Sequence, residues 1–131
     1  MTSASPSFGL GQIGQIALPA RDLERAIAFY RDKLGLRFLF QAPPALAFFD
    51  CAGVRLLIDV PQDPEFQRHG SVIYFSVPDI RSAHEILSGR GVKFEDAPHI
   101  IASLADRDVW MTFFRDTEDN MLALMSEVVR S

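Results

Sequence analysis

The chain has a single cysteine, Cys51, so an intrachain disulfide and a cysteine-rich metal site are both excluded. Cys51 is read as a reduced thiol beside a turn. Long apolar runs are missing too: none approaches the ~20 residues of a membrane-spanning helix. Residues 1–11 have neither the basic start nor the apolar core of a signal peptide. Their Ser, Pro and Gly content suggests a flexible tail. These absences lead to the expectation of a cytoplasmic protein with no membrane partner. A basic excess is also lacking, because 13 Lys and Arg face 17 Asp and Glu for a net charge of −4. That leaves few counterions to release, which argues against nucleic acid as a partner.

What is present fits one soluble domain. A length of 131 residues supports a single core, and 48% hydrophobic with 23% charged residues is ordinary globular composition. The pattern is organised around Trp110 to Met125, two apolar runs flanking Asp116-Thr117-Glu118-Asp119-Asn120. Asp and Asn form turns by bonding nearby backbone, and the flanks are aromatic and branched, so the stretch reads as a β-hairpin. Leu46 to Ile58 echoes it: a Phe48-Phe49 pair leads into Asp50, a turn and an apolar strand. A repeated hairpin points to a duplicated unit.

The rest of the repeat is there. Gln12 to Pro19 reads as a strand. Asp22 is a helix N-cap, and Leu23, Ala26, Ile27, Tyr30 and Leu34 follow with helical spacing. Arg21, Glu24, Arg25, Arg31, Asp32 and Lys33 form a solvated face, and Gly35 stands where a helix-ending glycine belongs. Leu36 to Gln41 reads as a second strand, and Pro43-Pro44 breaks the chain before the first hairpin. After a linker from Pro61 to Gly70 the pattern restarts. Ser71 to Val77 is a strand, Asp79 a cap, and Ile80, Ala83, His84 and Leu87 a stripe. Arg90 to Phe94 repeats Leu34 to Phe38. Each half is therefore strand, helix, strand, strand, strand.

These residues resemble the vicinal oxygen chelate superfamily, which includes glyoxalases, extradiol dioxygenases, methylmalonyl-CoA epimerase, and fosfomycin and bleomycin resistance proteins. The resemblance rests on Ala17 to Tyr30, on Leu34-Gly35-Leu36, and on Phe114 to Asn120. The last is similar to the family's phenylalanine, any residue, Asp-Pro-Asp-Gly-Asn, with Thr117, Glu118 and Asp119 replacing proline, aspartate and glycine. It implies an α+β fold of two tandem βαβββ modules, about 12–61 and 70–128, in one domain over 12–128. Their mixed sheets are expected to curl around a cup.

Metal-using members of the family place ligands, His or Glu with Gln tolerated, at four inward positions. Carried over, these are Gln15, Leu57, Val72 and Ala123. Three lack a lone pair, whereas a Zn, Fe or Mn site needs about three N, O or S ligands. Slipping the strands by one residue offers Ser71, Ile58, Ile73, Leu122 or Leu124, and by two Asp59. No metal and no other cofactor is expected. His84 reads as a core or boundary histidine and His69 as a solvated linker residue. His99, after the second strand of module two, is the candidate for the cup mouth and for acid or base work near neutral pH.

Strand alternation gives the expected cup lining: Gln15, Ala17, Phe48, Leu57, Val72, Tyr74, Met111, Phe113, Met121 and Ala123. Greasy walls with few polar anchors suit a small-molecule pocket. The alternative is a cup simply filled by its own side chains, since burying an aromatic gains roughly 1.5–3 kcal/mol unaided. Trp110, Thr112 and Phe114 have the opposite parity and should pack under the helices. Gln15, between Ile13 and Ala17 on its face, needs a partner if buried. The expected function is binding of a small, largely apolar ligand by a homodimer. The alternative is a lyase, isomerase or dioxygenase-type enzyme with an atypical site.

Overall fold

A computed structural model of the chain describes residues 13–61 and 71–130. The expected tail and most of the linker, with His69, lie outside the described residues. In order, the elements are β1 (Gln15–Pro19), α1 (Leu23–Ala28), a π-helical turn (Phe29–Lys33), β2 (Arg37–Ala42), β3 (Leu46–Cys51), β4 (Val54–Asp59), β5 (Ile73–Ser76), α2 (Ile80–Gly89), β6 (His99–Ser103), β7 (Arg107–Arg115) and β8 (Met121–Val129). They form two mixed four-stranded sheets, β1-β4-β3-β2 and β5-β8-β7-β6. In each, the first strand pairs in parallel with the last and the other pairings are antiparallel.

The duplication extends to local detail. Asp22 accepts from the Arg25 amide and Asp79 from the Ser82 amide, both at 3.1 Å, so each helix starts on an aspartate cap. Gly35 and Gly91 follow the helices with φ of +75° and +92°, a left-handed conformation that favours glycine. The second strand of each module carries a register shift, at Leu39 and at Ile101. The tight β3–β4 turn uses Ala52 and Gly53 at φ of 51° and 97°, as a two-residue hairpin turn requires.

One face of each sheet is sealed by its helix. α1 packs on β3 and β4, and α2 packs on β7 and β8. Leu18, Ala47, Phe49, Leu56 and Ile58 are buried on sheet one, and Thr112, Phe114, Leu122 and Leu124 on sheet two. Trp110, on the same side, is partly buried with the Arg81 guanidinium 4.9 Å above its ring. His84 sits partly buried with its ring 4.2 Å from that of Phe94. The alternating positions of the opposite faces are left to form the cup.

Two expectations about the elements are corrected. The first helix is α-helical only to Ala28, and its last turn widens: the Leu34 amide donates to the Phe29 carbonyl five residues back. The second strand of module two does not lie between Gly91 and His99. Phe94 makes an isolated bridge to Phe114 and the strand proper starts at His99, so His99 opens it rather than following it. The cause lies at Asp96 and Pro98. The Asp96 carboxylate accepts from the Phe113 amide at 2.9 Å and from the Thr112 hydroxyl at 3.0 Å, replacing a ladder bond. Pro98 has no amide to donate.

The hairpin turn at 116–120 is where it was expected; a third correction concerns the face around Arg25. Asp116, Glu118 and Asn120 are buried, because this turn of module two docks on the start of α1 in module one. Glu118 Oε1 accepts from the Arg21 and Asp22 amides at 2.7 and 3.0 Å. Its Oε2 takes Arg25 Nε at 2.7 Å, so Arg25 belongs to an inter-module ion pair rather than a purely solvated face. The Asn120 amide group donates to the Pro19 carbonyl at 3.0 Å. Asp119 adopts φ of 70°, the conformation its glycine-like position demands.

Candidate functional site in the cup

Cross-strand registers sort the cup face into rows, because partners directly opposite share a face. On sheet one the middle row is Phe40, Phe48, Leu57 and Ala17. Phe40 and Phe48 stack at 4.7 Å. The neighbouring row is polar: Arg37, Asp50, Arg55 and Gln15. On the other side Asp59 pairs with Leu46 and Pro19, and burial pushes its carboxyl pKa up.

On sheet two, Phe113 opposes Ala123, which opposes Tyr74. The small side chain of Ala123 lets the two rings meet over it, edge to face at 6.2 Å, and Ala123 is fully buried. The next row joins His99, Met111 and Met125. Met121 opposes Arg115 at the far end, and Val72 lies partly buried just before β5. Thus Phe48 and Leu57 come together, as do Tyr74, Phe113 and Ala123, and His99 with Met111. Gln15 belongs with the charged row. It is exposed, as are Ile13 and Ala17, so no burial obliges its amide to find a partner.

His99 stands exposed at the edge of sheet two. Its Nδ1 lies 2.9 Å from the Ala97 carbonyl and 3.7 Å from Asp96 Oδ2. Donation from Nδ1 to that carbonyl leaves Nε2 with its lone pair. Asp96 is the carboxylate neighbour that the sequence left unnamed.

The family's metal does not fit this donor set. At the four carried-over positions only Gln15 has a donor atom, and Ala123 is covered by aromatic rings. Among the described residues there is no group of three or more His, Cys, Asp or Glu side chains placed to hold a metal ion.

Several cavities adjoin the sheets among the described residues. One of about 320 Å³ lies on the helix side of sheet two, bounded by Leu34, Leu36, Phe75, Ile86 and Leu87. Another, about 160 Å³, lies between β1, β4 and β5 and is lined mainly by residues of the helix-facing side, Ile16, Val54, Leu56, Ile73 and Phe75, with Arg55 and Tyr74 at its edge. Arg37, Asp50, Arg55 and Phe40 were not among the residues expected from sequence. Extending the same alternation two residues along β3 and β4 reaches Asp50 and Arg55. Among the described residues, no helix is long and apolar enough to cross a membrane.

The fold and the β7–β8 turn point to a superfamily whose members do not all share one chemistry. The chain belongs to the Glyoxalase/Bleomycin resistance protein/Dioxygenase superfamily, which it matches over residues 12–124. It is 33% identical over 124 residues to a glyoxylase-like domain-containing protein of Didymella fabae, covering 87% of this chain and 92% of that one. It is similar to the crystal structure of lactoylglutathione lyase from Agrobacterium tumefaciens, with a TM-score of 0.73 and 26% identity over 90% of this chain and 95% of that one. TnmS3, an antibiotic binding protein from Streptomyces, shares the fold at a TM-score of 0.71 and 18% identity, over 91% of this chain and 98% of that one.

Proposed function

We propose that the protein binds a small, largely apolar or aromatic molecule in the cup, without the superfamily's metal. The carrying observation is the fully buried Ala123 beneath the Tyr74–Phe113 pair. A position that would hold a metal ligand is instead the floor of an aromatic wall. Phe48 and Leu57 supply the facing wall, with Val72, Met111 and Met121 around it. Gln15 and His99 are the polar contacts at the periphery.

The reading includes a homodimer, in which a second copy covers the cup. Phe40 and Tyr74 on the cup faces are each 46% exposed, and a contiguous apolar surface is seldom left open by a monomer. A cytoplasmic location goes with it, resting on the single Cys51. A thermal-shift screen of small aromatic compounds tests the binding. Ligand at 100 times its dissociation constant stabilises by about 2.7 kcal/mol, and labelled Phe48, Phe113 and Ala123 resonances should move. A screen whose ligands perturb none of these residues overturns the reading.

A lyase or isomerase is the second reading. His99, with Nδ1 on the Ala97 carbonyl and Nε2 open, supports it, as does the 26% identity to the Agrobacterium lyase. His99→Ala separates the two. An enzyme using this base loses about 100-fold or more in turnover, whereas a binding protein loses one contact.

A further inference from the structure

The row beside the Tyr74–Phe113 pair is made of soft donors. Met111 and Met125 stand two residues from Phe113 and Ala123 along β7 and β8, so they share the cup face. They oppose each other directly, and His99 on β6 opposes Met111. Facing residues on adjacent strands hold their Cβ atoms roughly 5 Å apart. An ion above Met111 is therefore flanked by His99 on one side and Met125 on the other. A methionine side chain turns about three bonds, so each thioether can lean toward that ion.

His99 is held as a metal-binding histidine is held. Its Nδ1 lies 2.9 Å from the Ala97 carbonyl, with Asp96 Oδ2 beyond it at 3.7 Å. A ligating imidazole ordinarily gives its other N–H to a backbone carbonyl or a carboxylate, which fixes both tautomer and ring. Here that leaves the Nε2 lone pair free, on an exposed ring that an ion reaches from solvent. The row ends at Ser76 on β5 and holds no acid. Among the described residues no trio of His, Cys, Asp or Glu is placed for a metal ion, so any ligand set must include the thioethers. Zinc takes Cys, His and carboxylate ligands. Magnesium, calcium and manganese take oxygen, whereas thioethers select copper(I).

We infer that His99 Nε2 and the thioethers of Met111 and Met125 form a site for a soft monovalent cation, copper(I), separate from the four positions of the superfamily's metal. Three neutral donors hold the ion exchangeably, so the site fills when the ion is supplied rather than carrying it through purification. The inference does not rest on the reading of the cup as an apolar ligand site.

The test is a titration of the full chain, its methionine methyl groups labelled, with silver(I) nitrate in chloride-free buffer, silver being a redox-inert substitute for copper(I). The Met111 and Met125 methyls and the His99 ring are expected to shift together and saturate at one equivalent, while Met121 stays in place. Copper(I) kept reduced with ascorbate should give the same shifts, and zinc(II) should bind at least tenfold more weakly. Met111→Leu and Met125→Leu conserve volume and remove the donor. Each should leave the melting temperature little changed and weaken silver tenfold or more. The Cys51 thiol is another soft donor, so the titration is repeated in Cys51→Ser, which should keep the methionine shifts. Silver that moves neither methyl, shifts that vanish in a folded Cys51→Ser chain, or leucine variants that bind silver as tightly as the native chain overturn the site. Zinc(II) matching silver overturns its assignment to a soft ion.

Discussion

Arg25 Nε lies 2.7 Å from Glu118 Oε2, joining the first helix of one module to the last turn of the other. Arg25 is half exposed at 48%, but Glu118 is buried at 1%. Burial alone pushes the Glu118 pKa up. Hydrogen bonds from Arg25, from the Arg21 and Asp22 amides and from the Thr117 hydroxyl overcome it and hold the value at about 2. The same turn receives the buried Tyr30 hydroxyl on Asp116 Oδ2 at 2.7 Å. Burial, then the charge and hydrogen bond of Asp116, raise the Tyr30 pKa well above the usual value. The motif that marks the superfamily here works as an inter-module clamp.

The clamp gives stability a defined acid dependence. The folded pKa of Glu118, about 2, lies below the ordinary 4.5, so the folded state binds fewer protons than the unfolded state between these values. Its contribution is complete above about pH 4.5 and fades as pH falls toward 2. Allowing for solvent at Arg25, it is on the order of 1–2 kcal/mol. Urea midpoints measured from pH 6 down to 2.5 should fall for the native chain. Glu118→Gln should start lower and lose the part of the slope due to this residue. Parallel slopes in the two proteins would show that Glu118 titrates elsewhere.

Gln15 yields a sharper expectation than its sequence context suggested. Its side chain is exposed at the end of the charged row, so nothing in the fold depends on its amide. Gln15→Leu should change the melting temperature little, within the ~0.5 kcal/mol typical of surface substitutions. If the amide anchors ligand at the cup edge, the same change weakens binding. A large drop in melting temperature with binding intact would assign Gln15 a structural task instead.

The fold was legible because duplication left marks that survive without helix or strand prediction: the paired Asp22 and Asp79 caps, Gly35 and Gly91, and the two Phe-Phe hairpins. The lining was legible in part, since alternation places Phe48, Leu57, Tyr74, Phe113 and Ala123 on one side. What stayed hidden depends on non-local contact. Glu118 and Arg25 are 93 positions apart, and as single residues both look like surface charges. The break at Asp96 is invisible because a side chain there imitates a strand's hydrogen bond. Arg55 is hard to place from sequence because a charged residue in a strand ordinarily faces solvent.

The assembly can be weighed directly. Phe40 and Tyr74 are nearly half exposed on the cup faces, and Phe48, Phe113 and Met121 are only partly buried beside them. A second copy that covers this surface would remove it from water at roughly 25 cal/mol per Å². Sedimentation at micromolar concentration should report twice the chain mass of 14.6 kDa. Tyr74→Glu, which places a charge on that surface, should shift the protein toward monomer. A native chain that sediments as a monomer removes the dimer from the reading.

The sharpest division between binding and metal chemistry is chelation. Ligation by N, O or S atoms from about three side chains is the minimum for Zn, Fe or Mn in this superfamily's geometry. Leu57, Val72 and Ala123 supply none, and a neutral Gln15 amide alone is too weak a ligand. The protein purified and dialysed against EDTA should therefore keep its affinity for cup ligands. On the metal-free reading its melting temperature should also be unchanged, since no folding free energy would be tied to an ion. Metal analysis before dialysis should give well under one equivalent per chain, and Gln15→Ala should release nothing. One equivalent of metal retained through purification, with ligand affinity lost on chelation and restored on readdition, would overturn the metal-free reading. It would mean that donors outside the four carried-over positions hold the ion.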